Sequence, residues 1–210
     1  MKHIVLPILF LIAFSGFTQE SSPLIQAIES NNLAQVKTIV EAGADVNEVD
    51  RHYQSALKIA IGKGNINIVK YLIESGAEDR SGMYEAVKTD NVALTKYLIS
   101  QNFSIGQAIV YATENNNLEM VKLLAANGAD VDFSQKRRKG LFRKYYVSPI
   151  DEAVSHNNLA MVNVLIDHGF PRNRAINSAL DYGKNDIILS LSKDLEDKSW
   201  LLLEAFKRSN

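Results

Sequence analysis

The sequence predicts an all-α solenoid of stacked helix–turn–helix units, with two long finger connections and short turns elsewhere. Three observations carry that reading. A short pattern recurs along the chain, anchored on Ala27, Ala60, Ala86, Ala112, Ala153 and Ala179, and the first helix of a seventh copy is centred on Ala205. Apolar residues sit at helical spacing on both sides of a break in each copy. Residue types that tolerate a left-handed backbone stand at fixed offsets from the anchor. The anchor spacings are 33, 26, 26, 41, 26 and 26 residues, and periods of this size mark architectures in which each unit buries its apolar side only against its neighbours.

Each unit reads as two short antiparallel helices. In the first helix an apolar residue precedes the anchor by three positions: Leu24, Leu57, Met83, Ile109, Ile150, Ile176 and Leu202. That spacing places it on the anchor's face. The anchor is alanine because a methyl group lets neighbouring first helices approach closely; a larger side chain would overpack the stack by about 1–3 kcal/mol. In the second helix the buried pair is expected nine and twelve residues after the anchor: Val36 with Ile39, Val69 with Leu72, Thr95 with Leu98, Val121 with Leu124, Val162 with Leu165, and Ile188 with Leu191.

Between the helices stand Asn31, Gly64, Asp90, Asn116, Asn157 and Gly183, all suited to the left-handed residue that ends a helix. The next residue is asparagine in five of the six units (Asn32, Asn65, Asn91, Asn117 and Asn158), where its side chain can accept a backbone N–H at the start of the second helix. Gly43, Gly76, Gly128 and Gly169 end four second helices, and Asn102 takes that place in the third unit.

The connections differ in length. Eleven residues run from Ala44 to Gln54 and nineteen from Ala129 to Val147, whereas Ala77–Arg80, Phe103–Gly106 and Phe170–Asn173 hold four each. Four residues suffice for a turn between helices but not for a projecting hairpin. Only two fingers are therefore expected, with plain stacked helical hairpins at the other junctions.

These motifs resemble a known family. Ser22-Pro23-Leu24-Ile25-Gln26-Ala27 and Ser148-Pro149-Ile150-Asp151-Glu152-Ala153 are similar to the ankyrin Thr-Pro-Leu-His-x-Ala box, and Gly43-Ala44-Asp45-Val46-Asn47 and Gly128-Ala129-Asp130-Val131-Asp132 resemble the ankyrin repeat ending. The resemblance runs from Ser22 to Asn210 and implies an ankyrin repeat domain over 22–210 with a capping helix at its end. It implies a protein-binding role carried by finger tips and inner helices. Carried over, the binding positions are Asn47 to Tyr53 on the first finger, including Asp50, Arg51, His52 and Tyr53, with Glu29, Ser30, Gly62, Lys63, Lys88, Thr89, Glu114, Asn115, Ser155, His156, Asp181 and Tyr182 on the inner helices. The family's box histidine is replaced by Ile25, Lys58, Tyr84, Val110, Asp151 and Asn177. Since that imidazole ties neighbouring turns together in the family, weaker ties between units are expected.

Lys2, the apolar run Ile4–Phe17 and the small residues before Gln19 read as a secretory signal over residues 1–18. The run is shorter than the roughly 20 residues needed to span a bilayer, and Pro7 interrupts it. An exported protein, periplasmic or secreted, is expected, with no transmembrane segment after signal removal. At the other end Leu202, Ala205 and Phe206 lie where the first helix of a seventh unit would present its buried face, so Ser199–Ser209 is expected to cap the open stack.

The chain has 210 residues with a formal net charge of -1 and no cysteine. Disulfides and thiolate chemistry are excluded, and no global field selects a polyanion. His3, His52, His156 and His168 form no pair at metal-ligand spacing, and no phosphate loop or nucleophile elbow occurs. Stacked short helix pairs rarely enclose a catalytic pocket, and Asp151-Glu152 reads as a helix N-terminal pair favoured by the dipole. No enzyme, cofactor, metal or small-molecule substrate is expected.

The segment Phe133–Val147 stands apart. Lys136, Arg137, Arg138, Lys139, Arg143 and Lys144 give six positive charges and no acid, interleaved with Phe133, Phe142, Tyr145 and Tyr146. Such a segment can seat an acidic protein surface with aromatic anchors, hold an anionic polymer, lipid or cell-surface material, or pack back on the stack as a structural hairpin. Another protein, with an acidic surface, is the expected partner, and nucleic acid is not.

Overall fold

The computed structural model describes residues 21–139 and 143–193, with 135–139 and 143–146 described by their backbone. The signal-like segment 1–18, the loop tip containing Phe142 and the capping helix expected at Ser199–Ser209 lie outside the described residues.

Six helix pairs follow one another: α1 (Pro23–Glu29) with α2 (Leu33–Glu41), α3 (Ala56–Gly62) with α4 (Ile66–Glu74), α5 (Met83–Lys88) with α6 (Val92–Ser100), α7 (Ala108–Glu114) with α8 (Leu118–Ala126), α9 (Pro149–Ser155) with α10 (Leu159–Asp167), and α11 (Arg172–Asp181) with α12 (Asn185–Ser192). A two-stranded hairpin, β1 (Gln135–Lys139) and β2 (Arg143–Val147), stands between α8 and α9. Helices this short are marginal alone. Their stability comes from one continuous core in which all six anchor alanines and all six apolar residues three positions before them are buried.

The local signals act as the sequence expects. Asn31, Gly64, Asp90, Asn116, Asn157 and Gly183 all adopt positive φ, between 53° and 72°. Gly43, Gly76, Asn102, Gly128 and Gly169 do so at the ends of the second helices. The left-handed turn lets Asn117 N–H donate to Ala112 O at 3.1 Å and Asn116 N–H to Thr113 O at 3.0 Å, satisfying carbonyls that the helix end would leave open. Each of the five asparagines that follow accepts a backbone N–H in the first turn of its helix; Asn117 Oδ1, for example, takes Met120 N–H at 2.9 Å.

The second helices depart from expectation in the first and sixth units. In the sixth unit Ile187 is buried and Ile188 only partly so, and in the first unit Ile39 is half-buried beside a fully buried Val36. Position eight after the anchor also faces inward in the other units, as Ile68, Leu94, Met120 and Met161, while Gln35 occupies it in the first. Among the described residues these two units have a neighbour on one side only, which leaves such positions less covered.

The connections divide as their lengths require. The long one carries the five-residue β1–β2 ladder, and the eleven-residue one closes through a single bridge, Val49 to Ser55. Among the described residues no strand occurs at the four-residue junctions. Adjacent junctions are nevertheless tied: Asn47 donates to Gly76 O at 3.2 Å and accepts from Glu78 N–H at 2.9 Å, and Arg80 lies 5.3 Å over the Phe103 ring.

Candidate protein-interaction surface

The first finger is a tight polar turn. Asp50 Oδ1 accepts the backbone N–H groups of His52 and Gln54, each at 2.8 Å, and Asp50 N–H donates to Gln54 O at 2.9 Å. The bond from Gln54 is the main reason that the Asp50 carboxyl lies below the usual aspartate range, with the His52 backbone N–H and the Arg51 charge adding to it and desolvation opposing it. Arg51 Nε donates to His52 Nε2 at 3.2 Å. Tyr53 has φ of +58° and is 89% exposed. That backbone is unusual for a bulky aromatic. The turn thus holds an aromatic ring out in solvent, beside the exposed Val49.

In the hairpin the register sets Lys136 opposite Tyr146, Arg137 opposite Tyr145, Arg138 opposite Lys144 and Lys139 opposite Arg143. Alternate positions of a ladder fall on one face of the sheet. Lys136, Arg138, Lys144 and Tyr146 form one set, and Arg137, Lys139, Arg143 and Tyr145 the other. The basic and aromatic positions are therefore shared between both faces. At the hairpin base Asp132 accepts two bonds from Arg174 Nη1, at 2.7 and 2.6 Å, and the Arg174 guanidinium lies 5.1 Å over Phe170.

The inner helices present a mixed surface. Glu29, Ser30, Gly62, Lys63, Lys88, Thr89, Asn115, His156, Asp181 and Tyr182 are exposed, and Glu114 and Ser155 half-buried. Lys58 pairs with Glu85 at 3.3 Å, and His156 Nε2 lies 3.1 Å from Glu114 O. Burial, then the charges of Asp151, Glu152 and Asp181, raise the Tyr182 hydroxyl above its ordinary range. Asp151, standing at the box-histidine position, accepts from Ser148 Oγ of its own unit and from Ser178 Oγ of the next, both at 2.6 Å. It is a tie between units, as the imidazole is in the family. Among the described residues no group of three or more His, Cys, Asp or Glu is placed to hold a metal, and no helix is long and apolar enough to cross a membrane.

Two features escape motif reading. The capping asparagines also reach backward: Asn65 Nδ2 donates to Asn31 Oδ1 at 2.7 Å, Asn91 Nδ2 to Gly64 O at 3.1 Å, Asn117 Nδ2 to Asp90 Oδ1 at 2.7 Å and Asn158 Nδ2 to Asn116 Oδ1 at 2.8 Å. This ladder replaces the missing histidine ties through the first five units and stops at Lys184, which has no side-chain cap bond. The recurrence of asparagine beside a left-handed residue is its only trace in the sequence. The second feature is a cleft of about 440 Å³ at the junctions on either side of the third unit, lined by Ser81, Met83, Tyr84, Ile105, Gln107 and Tyr111 among others.

This arrangement defines a helical repeat scaffold whose exposed chemistry lies on fingers and inner helices. A family model described as "Ankyrin repeats (3 copies)" matches residues 6–81, and one described as "Ankyrin repeat" matches 108–136. The chain belongs to the ankyrin repeat proteins. The first match reaches back into the stretch read as a signal. By sequence the chain is 42% identical over 57 residues to the B-cell lymphoma 3 protein homolog of Mus musculus, a match covering 27% of this chain and 13% of that protein. By structure it is similar to the ankyrin repeat domain of Bcl-3, with a TM-score of 0.66 and 24% identity over 85% of this chain and 88% of that one. It is also similar to the ankyrin repeat protein EF0377, with a TM-score of 0.62 and 22% identity over 82% of this chain and 96% of that one. At these identities the structural likeness establishes the fold. Ankyrin repeats in general mediate protein–protein interaction, and proteins built from them are in general scaffolds and not enzymes.

Proposed function

We propose that this chain is an exported, non-enzymatic protein-interaction scaffold, periplasmic or secreted, whose mature form begins near Gln19 and which binds a protein with an acidic surface. The observation that carries the reading is the ankyrin stack with its projecting basic hairpin, where six cations and no acid occupy the segment between Phe133 and Val147. A charged rim of this kind acts chiefly on encounter rate and partner choice, while aromatic anchors supply affinity. The solvent-exposed Tyr53 offers such an anchor on the first finger.

The test is affinity capture from the native exported fraction with residues 19–210, beside a version in which 134–146 is replaced by a short Gly-Ser link, at low and high salt. One protein lost with the hairpin and retained at high salt supports the reading. A processed N-terminus at Gln19, read by mass spectrometry, supports export; an intact Met1 form confined to the cytoplasm overturns it.

A second reading is favoured by the same run of cations: the hairpin binds an anionic polymer or surface. Six neutralised phosphates would give log K a slope of roughly -4 to -5 against log salt. Heterogeneous, salt-labile capture that disappears with the hairpin would support it, and charge-neutral substitutions at Lys136, Arg138 and Lys144 that leave binding intact would eliminate it.

A further inference from the structure

We infer that the β1–β2 hairpin is a processing site: an endoprotease that takes lysine or arginine beside the scissile bond cuts it, at Arg137–Arg138, Arg138–Lys139 or Arg143–Lys144, and the two halves of the chain stay together as one stack. The inference rests on the export reading only for where the protease is met.

The hairpin is poorly held as a ladder. Among the described residues it is a sheet of two strands with no third beside it, and such a pair is marginally stable in water. Its register weakens one end further. Near the base Gln135 stands opposite Val147, Lys136 opposite Tyr146 and Arg137 opposite Tyr145, so no pair there holds two charges. Beyond them Arg138 stands opposite Lys144 and Lys139 opposite Arg143. Like charges directly opposite one another destabilise a ladder. The base is pinned by Val131 and Val147, both buried. The strands therefore part first at the end away from the stack, where the basic run lies, and the helices are left undisturbed. Freed of its partner, an extended strand can pair with the edge of a second protein, as a protease cleft requires.

Other basic positions are better held. Arg51 follows Asp50, whose carboxylate accepts the N–H groups of His52 and Gln54 at 2.8 Å and so fixes the backbone on both sides. Arg80 Nη1 donates to Ala77 O at 2.7 Å. Lys58, Lys70, Lys96, Lys122 and Arg174 lie within helices of the stack. The step itself is a hydrolysis: water adds its hydroxyl to the carbonyl carbon, the C–N bond breaks and the nitrogen takes the proton. A new carboxylate and a new ammonium result, and nothing is oxidised or reduced.

The ties that span the cut do not pass through the hairpin. Asn158 Nδ2 donates to Asn116 Oδ1 at 2.8 Å, His156 Nε2 lies 3.1 Å from Glu114 O, and Arg174 pairs with Asp132 at 2.6 Å. In each the first residue follows the cut and the second precedes it. Beneath them Ala112, Val121 and Leu124 share one buried core with Ala153, Val154 and Met161. Two repeats alone are too few for stability, so the fifth and sixth units stay folded only while they remain on the fourth.

The experiment adds trypsin to residues 19–210 and to a variant in which Arg143→Thr and Lys144→Thr remove both like-charge pairs and leave the β1 run intact. The expected result is a first cut within 136–144, pieces that elute together in size exclusion and separate in urea, and cutting in β1 slowed about threefold or more in the variant. A first cut between other units, pieces that part without urea, or a variant cut in β1 as fast as the parent overturns the inference. The native protein recovered from the exported fraction is then read by mass spectrometry, and a new N-terminus within 137–144 is expected. An intact chain that begins at Gln19 overturns processing and leaves export standing. A chain cut in the hairpin that still begins at Met1 supports processing and overturns export.

Discussion

The side-chain amide of Asn117 donates to the carboxylate of Asp90 in the preceding unit at 2.7 Å while the carbonyl oxygen of the same side chain caps its own helix through Met120 N–H. One residue therefore fixes a helix start and the register between two units. Replacing a capping asparagine by alanine costs about 1 kcal/mol, and an exposed bond to a charged acceptor adds up to about 1 kcal/mol. Asn117→Ala is expected to lower stability by about 1–2 kcal/mol, and Asn117→Ser, which keeps the cap and loses the reach to Asp90, by the smaller part. Urea denaturation of both variants checks this; an Asn117→Ser variant as stable as the parent would mean that the tie between units contributes nothing.

Thr95 stands where Val36, Val69, Val121 and Val162 stand in other units, and its hydroxyl is buried without a hydrogen-bond partner. An unsatisfied buried polar group costs about 1–3 kcal/mol. Thr95→Val preserves the shape and removes the hydroxyl, and is expected to raise stability by about 1 kcal/mol. Thermal unfolding of the variant beside the parent measures it.

Tyr53 holds a left-handed backbone with φ of +58° at the first finger. That region costs an ordinary L-residue about 1–2 kcal/mol, and asparagine visits it more readily. Tyr53→Asn is expected to stabilise the chain slightly, by up to about 1 kcal/mol, and to weaken capture of a partner that uses the finger. A gain in melting temperature with unchanged capture would remove Tyr53 from the interaction surface.

Asp79 supplies an acid-sensitive tie between the second and third units. Burial pushes its carboxyl up, but the hydroxyls of Ser55 and Ser81, the Ser81 N–H and the Lys58 charge outweigh it, so the group titrates below its ordinary value of 3.8. A carboxyl lowered in the folded state contributes stability that is complete above its unfolded pKa of about 3.9 and is lost as pH falls through the folded value. The contribution is at most about 1 kcal/mol because the group is only partly buried and solvent screens it. The stability difference between the parent and Asp79→Asn should be present near pH 6 and shrink as pH falls below the unfolded value of about 3.9, as read by denaturation at each pH.

Much of the fold was legible because its signals are local. A left-handed turn needs Asn, Asp or Gly at one position, an N-cap needs a short polar acceptor at the next, and a face repeats every three to four residues. The anchors, turns, caps and finger positions follow from these rules residue by residue, as Asn31, Asn32 and Gly43 show in the first unit. The departure at Ile188, only partly buried, occurs in the sixth unit, where Lys184 replaces the capping asparagine.

What the sequence determined by itself, then, was the repeat, its helix boundaries and the uneven lengths of its connections, since each depends on a residue's own backbone preferences and near neighbours. Only the tertiary structure decided which side chains meet across units: Asn117 with Asp90, Asp151 with Ser178, and Tyr84 with Tyr111 over a cleft between short junctions. Those pairs lie 27 residues apart in sequence. Their meeting depends on the distance and rotation from one helix pair to the next, which the packing of whole core faces sets and no local pattern encodes.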